Sequence, residues 1–190
     1  MNILGFSGSL RETSLNSALL RAAGKLLPVG VTLQVASLSE IPLFGKEAGP
    51  EGFPEAVGQL RRAIAEADAL LFVTPEYNHS IPGVLKNAID WASCPPDQPF
   101  AGKPAAILGA SSGRLGTVLG QHHLRQMFVY LDVHPVNKPE VYVNAAGEKF
   151  DAELRLADQT SRDLVQQLMT ALVDWTRLLG AGRAAVARAH

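Results

Sequence analysis

Two hydrophobic rhythms take turns along the chain. Short uninterrupted apolar runs of strand length are followed by longer stretches with apolar residues every three or four positions, the spacing of one helix face. Ile3-Leu4-Gly5-Phe6 is the first run, and Leu15, Ala18, Leu19, Ala22 and Leu26 mark the first helix. Pro28-Val29-Gly30 makes a turn into an alternating strand, Val31 to Ala36. Ser37 to Phe53 is polar and rich in Gly and Pro, as a surface loop is, and Pro54 suits the first turn of the next helix. That helix buries Val57, Leu60, Ala63, Ile64 and Ala67. Ala69-Leu70-Leu71-Phe72-Val73 reads as a central parallel strand covered on both faces. A loop from Thr74 to Ile81 leads to a helix near Pro82 with Leu85, Ala88 and Ile89 inward, ended by Pro95-Pro96. Ala105 to Leu108 is the fourth strand, and Thr117 to Leu131 the fourth helix. Val141-Tyr142-Val143 is a short fifth strand, and Leu164, Leu168, Ala171, Leu172, Trp175 and Leu179 mark a long last helix.

Five strand–helix alternations predict an α/β fold with a doubly wound parallel sheet and right-handed crossovers. Such sheets bind ligands outside the carboxyl ends of their strands. Three loops leave that edge, after strands one, three and four: SGSLRETSLN, PEYNHSIPG and ASSGRLG. All three are rich in small polar residues, whereas the turns at the opposite edge are not. In the first, a strand turns through Gly and Ser into a helix N-terminus, where unpaired N–H groups and the positive end of the dipole favour an anion. Ser9, Ser14, Asn16 and Ser17 add side-chain donors, and Arg11 adds a fork that suits phosphate. The plainer alternative is that Thr13 or Ser14 simply caps the helix. Neither a G-x-G-x-x-G fingerprint nor a P-loop is present, and the loop suits a terminal monophosphate. In the second loop Tyr77 offers an aromatic face and Asn78 an amide, a pair able to hold a planar heterocycle, unless Asn78 only shapes a turn. Ser111, Ser112 and Gly113 can present backbone N–H groups to a ring or sugar.

Length and composition narrow the class. One domain fits 190 residues, and a hydrophobic fraction of 47% is ordinary for a globular protein. A formal net charge of −1 leaves no footprint for nucleic acid. The single cysteine, Cys94, rules out an intramolecular disulfide framework and fits a reducing, cytoplasmic setting, and no N-terminal run resembles a secretory signal. No apolar stretch is of membrane-spanning length. Adjacent His122 and His123 point apart on a helix, and no zinc-ligand pattern appears, so no metal is expected. Gly180 to His190 is Ala/Gly/Arg-rich and reads as a flexible tail behind a domain spanning residues 1–179.

Two motifs carry a family likeness. G-S-L-R-x-x-S-x-N at Gly8 to Asn16 and P-E-Y-N-x-S-x-P-G-x-L-K-N-A-I-D-W at Pro75 to Trp91 resemble the NADPH-dependent FMN reductases, a group that includes bacterial chromate and quinone reductases. Gln121 to Arg125 and Asn137 to Glu140 are similar as well, so the likeness covers about Met1 to Trp175. It implies a flavodoxin-like three-layer sandwich with strand order 2-1-3-4-5. It also implies bound FMN, with Ser9, Arg11, Ser14, Asn16 and Ser17 around the phosphate. Pro75, Glu76, Tyr77 and Asn78 would lie beside the isoalloxazine, and Ser111, Ser112 and Gly113 on its other flank. A homodimer or homotetramer follows too, with Arg125 and Glu140 near subunit contacts.

On this reading NAD(P)H is the co-substrate, and a small acceptor takes the electrons in a ping-pong cycle. A quinone, chromate, an azo or nitro compound, or free flavin would serve. The cofactor carries the difficult chemistry, so no catalytic side chain is required. Glu76 has the chemistry of a general acid, and equally of a residue that positions backbone or faces solvent. Cys94 reads as an inert thiol, and Trp91 and Trp175 as packing. Two rival classes remain: a flavodoxin-type electron carrier, disfavoured by the near-neutral charge, and a non-redox α/β domain binding another anion. Flavin colour separates the second, and rapid NADPH oxidation with a quinone separates the first.

Overall fold

Strand β3 (Ala69–Val73) is buried at every residue, and the sheet grows outward from it. The computed structural model describes residues 1–45 and 52–188, so residues 46–51 of the expected Ser37–Phe53 loop and the last two of the expected tail lie outside the described residues. β1 (Asn2–Ser7) pairs with β2 (Thr32–Ala36) on one side and with β3 on the other. β3 pairs with β4 (Pro104–Ala110), and every pairing is parallel. With β5 (His134–Pro135) beyond β4, the strand order is β2-β1-β3-β4-β5, the expected flavodoxin-like order.

Each strand divides its side chains between two layers, because successive residues face opposite sides. Leu4, Phe6, Leu70, Phe72, Ala105 and Ile107 face helices α2 (Glu55–Glu66), α3 (Gly83–Ala92) and α4 (Val118–Leu131). Phe6 and Phe72 stack at 4.7 Å, and Phe128 of α4 tilts against Phe72 at 5.0 Å. Ile3, Leu71, Val73, Ala106 and Leu108 face α1 (Leu15–Lys25) and α5 (Gln159–Arg188). Trp91 and Trp175 pack as expected, their indole N–H groups donating to Pro42 O and His134 O. At the amino edge of the sheet, Lys103 Nζ donates to Ala65 O and Ala67 O at 2.7 and 2.6 Å, closing the end of α2. Removing that charged cap with Lys103→Met should destabilise the fold by about 1 kcal/mol in a urea titration.

Two features depart from the sequence reading. The fifth strand position is shared by two segments, β5 (His134–Pro135) and β6 (Val141–Val143), both paired with β4. From Ala105 to Leu108 β4 advances three residues, while its partner advances six, from Pro135 to Val141. The surplus loops outward, and two residues carry too little periodicity to announce β5. The second departure is α5, which continues to Arg188 through the stretch expected to be a flexible tail. Ala, Leu and Arg are good helix formers, which outweighs Gly180 and Gly182 here. Arg183 donates to Gly102 O at 2.6 Å, although the side chains of 181–188 are exposed.

Candidate cofactor site

The three polar loops do meet at one rim. Gly8 N donates to Val73 O, Thr74 N to Leu108 O, and Ser111 N to Val143 O, so each loop starts on its neighbour's last ladder bond. Close backbone packing holds them. A Cβ on Gly8 would stand 2.8 Å from Thr74 Oγ1 and 3.1 Å from Pro75 Cδ, and one on Gly109 would collide with Thr74 O and Thr117 Oγ1. Gly8 opens the G-S-L-R motif, whereas Gly109 lies in no motif; for both, the requirement seen here is long-range packing, which local patterning does not show.

The hydroxyl oxygens of the first loop are engaged locally, with one another or with nearby backbone. Ser14 is the N-cap of α1, and its Oγ accepts from Ser17 N at 3.2 Å. Ser17 Oγ and Ser7 Oγ share a hydrogen bond of 2.8 Å, and Ser9 Oγ accepts from Arg11 N. Asn16 corrects the expectation that its side chain faces a phosphate. It is 2% exposed, its Nδ2 donates to Ala110 O at 2.9 Å, and its Oδ1 accepts from Ala110 N at 2.8 Å. The amide ties the start of α1 to the end of β4. What remains for an anion is the exposed Arg11 guanidinium, without a partner among the described residues, the N–H groups of Leu15 and Asn16 in the first turn of α1, and the hydroxyl protons of Ser9 and Ser14, whose oxygens are engaged only as acceptors.

The second loop is a two-residue hairpin. Tyr77 N donates to Ser80 O and Ser80 N to Tyr77 O, with Asn78 at φ 52° and His79 at φ 61°. Both central residues left-handed define a type I′ turn, for which Asn is among the favoured residues. Asn78 therefore shapes the turn and is exposed, with Tyr77 beside it. Pro75 is buried, and the Glu76 carboxylate turns away to accept from Gly120 N at 2.9 Å. The third loop is pinned from behind. Ala146 N donates to Ser111 O, Ala145 N to Gly113 O, and Asn144 Nδ2 to Arg114 O. Ser112, Gly113 and Arg114 are left outward, and the Arg114 guanidinium has no partner among the described residues.

The loops share one further feature. Each loop carries a large apolar or aromatic residue in the open: Leu10 at 56%, Tyr77 at 43% and Leu115 at 65% exposure. A leucine in a polar loop is the cue that would have found two of them. A free cation and orphan N–H groups beside apolar walls suit a phosphorylated planar ring, so the residues present fit a flavin mononucleotide. Arg125 and Glu140 are engaged within the chain, Arg125 with Asn137 Oδ1 and Val136 O, Glu140 with Lys138. The Lys138 hydrogen bond holds the Glu140 carboxyl below the usual carboxylate range. Among the described residues no His, Cys, Asp or Glu cluster could hold a metal ion, and no helix is long and apolar enough to cross a membrane.

The model of the NADPH-dependent FMN reductases matches residues 1–148. The chain belongs to that family. The NAD(P)H-dependent FMN reductase of Pseudomonas aeruginosa is 57% identical over 179 residues, covering 94% of this chain and 97% of that one. A 2-hydroxy-1,4-benzoquinone reductase of Burkholderia sp is 40% identical over 171 residues, 90% and 93% of the two chains. Among solved structures, the flavoenzyme NAD(P)H:(acceptor) oxidoreductase FerB of Paracoccus denitrificans superposes with a TM-score of 0.85 at 33% identity, covering 93% of this chain and 97% of that one. The family match extends through all three loops and β6 and ends within the short 3-10 turn Ala146–Glu148.

Proposed function

We propose that this FMN reductase family member is an NAD(P)H-dependent oxidoreductase that passes electrons from the pyridine nucleotide through bound FMN to a small acceptor, a quinone being the favoured class. The observation that carries the reading is the rim itself: an Arg11 guanidinium without a partner among the described residues and the orphan N–H groups of α1, beside exposed Leu10, Tyr77 and Leu115. Bound FMN supplies the redox chemistry. The chain's task is to hold it, and for that Arg11 and the first turn of α1 neutralise the phosphate while Ser9, Ser14 and Ser17 fix the loop that presents them. The backbone N–H groups of Glu76, Asn78 and Ser112, which have no partner among the described residues, fall to the ring and its sugar chain, with the side chains of Tyr77 and Asn78 at the edge. NAD(P)H and acceptor then use the same open face in turn, which predicts parallel lines in double-reciprocal plots. The lone cysteine fits a cytoplasmic enzyme.

The protein should purify yellow, release FMN on heating, and oxidise NADPH rapidly when benzoquinone is added. A colourless protein that binds no added FMN would end this reading. Arg11→Ala should weaken FMN binding about tenfold or more, the loss of one charge-assisted contact to phosphate, with the melting temperature nearly unchanged.

A homodimer or homotetramer belongs to the same proposal. A groove of about 650 Å³ between α3 and α4 is lined by Ile81, Ile89, Met127 and the exposed Tyr130. Sedimentation should give a multiple of 20.3 kDa at micromolar concentration, and a monomer there would count against the assembly.

A further inference from the structure

Helix α4 begins without a cap of its own. The first N–H groups of a helix have no intrahelical partner, and a hydroxyl at the N-cap ordinarily supplies one. Thr117 occupies that position and makes no such bond; its Oγ1 accepts from Gln121 Nε2 at 2.9 Å instead. The acceptor arrives from 44 residues away, as the Glu76 carboxylate on Gly120 N. Gly120 also packs closely on the Tyr77–Ser80 hairpin, since a Cβ there would stand 3.1 Å from Ser80 O and 3.5 Å from Glu76 Cγ. One turn on, His123 Nδ1 and Ser80 Oγ lie 3.1 Å apart.

We propose that Glu76 is a positioning residue, whose carboxylate caps α4 and thereby fixes the hairpin that carries Tyr77 and Asn78 to the cofactor face. The negative charge sits at the positive end of the α4 dipole, which strengthens the tie. The two contacts divide the work: Glu76 anchors the hairpin's entry, and Ser80 its exit. Tyr77, Asn78 and His79 are exposed, and among the described residues none of them makes a hydrogen bond outside the hairpin itself. This inference rests on the proposed FMN site for its functional half, while its structural half stands alone.

The test compares Glu76→Ala with Glu76→Gln, whose amide oxygen still accepts from Gly120 N. Hydrogen exchange of the Gly120 amide, followed on the protein without added flavin, should accelerate about tenfold or more in the alanine variant and stay near wild type in the glutamine variant. In the FMN-loaded protein, Glu76→Ala should raise KM for NADPH and for benzoquinone severalfold and shift the visible flavin band, with a smaller change in kcat. Glu76→Gln should restore both. If Gly120 exchange is the same in all three proteins, the proposed cap is wrong. If the glutamine variant loses kcat as completely as the alanine variant, Glu76 transfers a proton and the positioning role is overturned. Should wild type bind no FMN, the functional proposal fails, and the exchange measurement still decides the cap.

Discussion

Gly109→Ala should lower the melting temperature by roughly 10 °C and abolish stable FMN binding. The added carbon would overlap Thr74 O and Thr117 Oγ1, and Thr117 Cγ2 would be 3.0 Å away. None of these atoms can yield cheaply. Thr74 O belongs to the residue that follows β3, whose N–H is already fixed to Leu108 O. Thr117 is buried at the start of α4 and accepts from Gln121, which itself donates to Val141 O of β6. Relief therefore requires parting β3 from β4 or sliding α4, and overpacking of this kind costs about 3 kcal/mol or more. Differential scanning calorimetry with and without FMN checks it, and a melting point within 2 °C of wild type, give or take about a degree, would show that the rim is looser than its packing implies.

Asn16→Ala should cost about 3 kcal/mol in a denaturant titration. It strips partners from Ala110 N–H and Ala110 C=O together, in a place with almost no access to water, at roughly 1–3 kcal/mol for each abandoned group. Were the Asn16 amide a phosphate ligand, the same change would weaken FMN binding and leave the apoprotein's stability almost intact. The two roles thus separate on one variant. Asn16→Asp adds a sharper check. Its carboxylate can accept from Ala110 N but faces Ala110 O with no proton to offer. Burial raises the carboxyl pKa in the folded state above the unfolded value, so the folded protein binds the extra proton more readily. The variant should therefore gain stability relative to wild type as pH falls from about 7 towards 5.

The fold was legible wherever burial is two-sided or one face is apolar. Ala69–Val73 is apolar throughout because layers cover both its faces, and the helices α1 to α4 show their buried stripes at the right period. β5 was not legible, since two residues set no rhythm, and the helical 180–188 stretch was hidden by glycines that usually end helices. The three loops could be placed from the sequence, but not the division of labour within them. A serine that donates to a ligand and one that caps a helix are the same letter, and Asn16, Ser14 and Glu76 all face protein partners chosen by the fold. Asn16 meets Ala110 across 94 positions, a pairing no local pattern contains.

The hydroxyl oxygens of Ser7, Ser9, Ser14 and Ser17 are each bonded to another part of the first loop or to the first turn of α1, so the chain itself holds their positions. A socket whose contour is drawn by its own walls survives being emptied. Stripped of its native prosthetic group, the protein should accept modified isoalloxazines of the same outline, making the chain a reusable holder for tuned redox dyes.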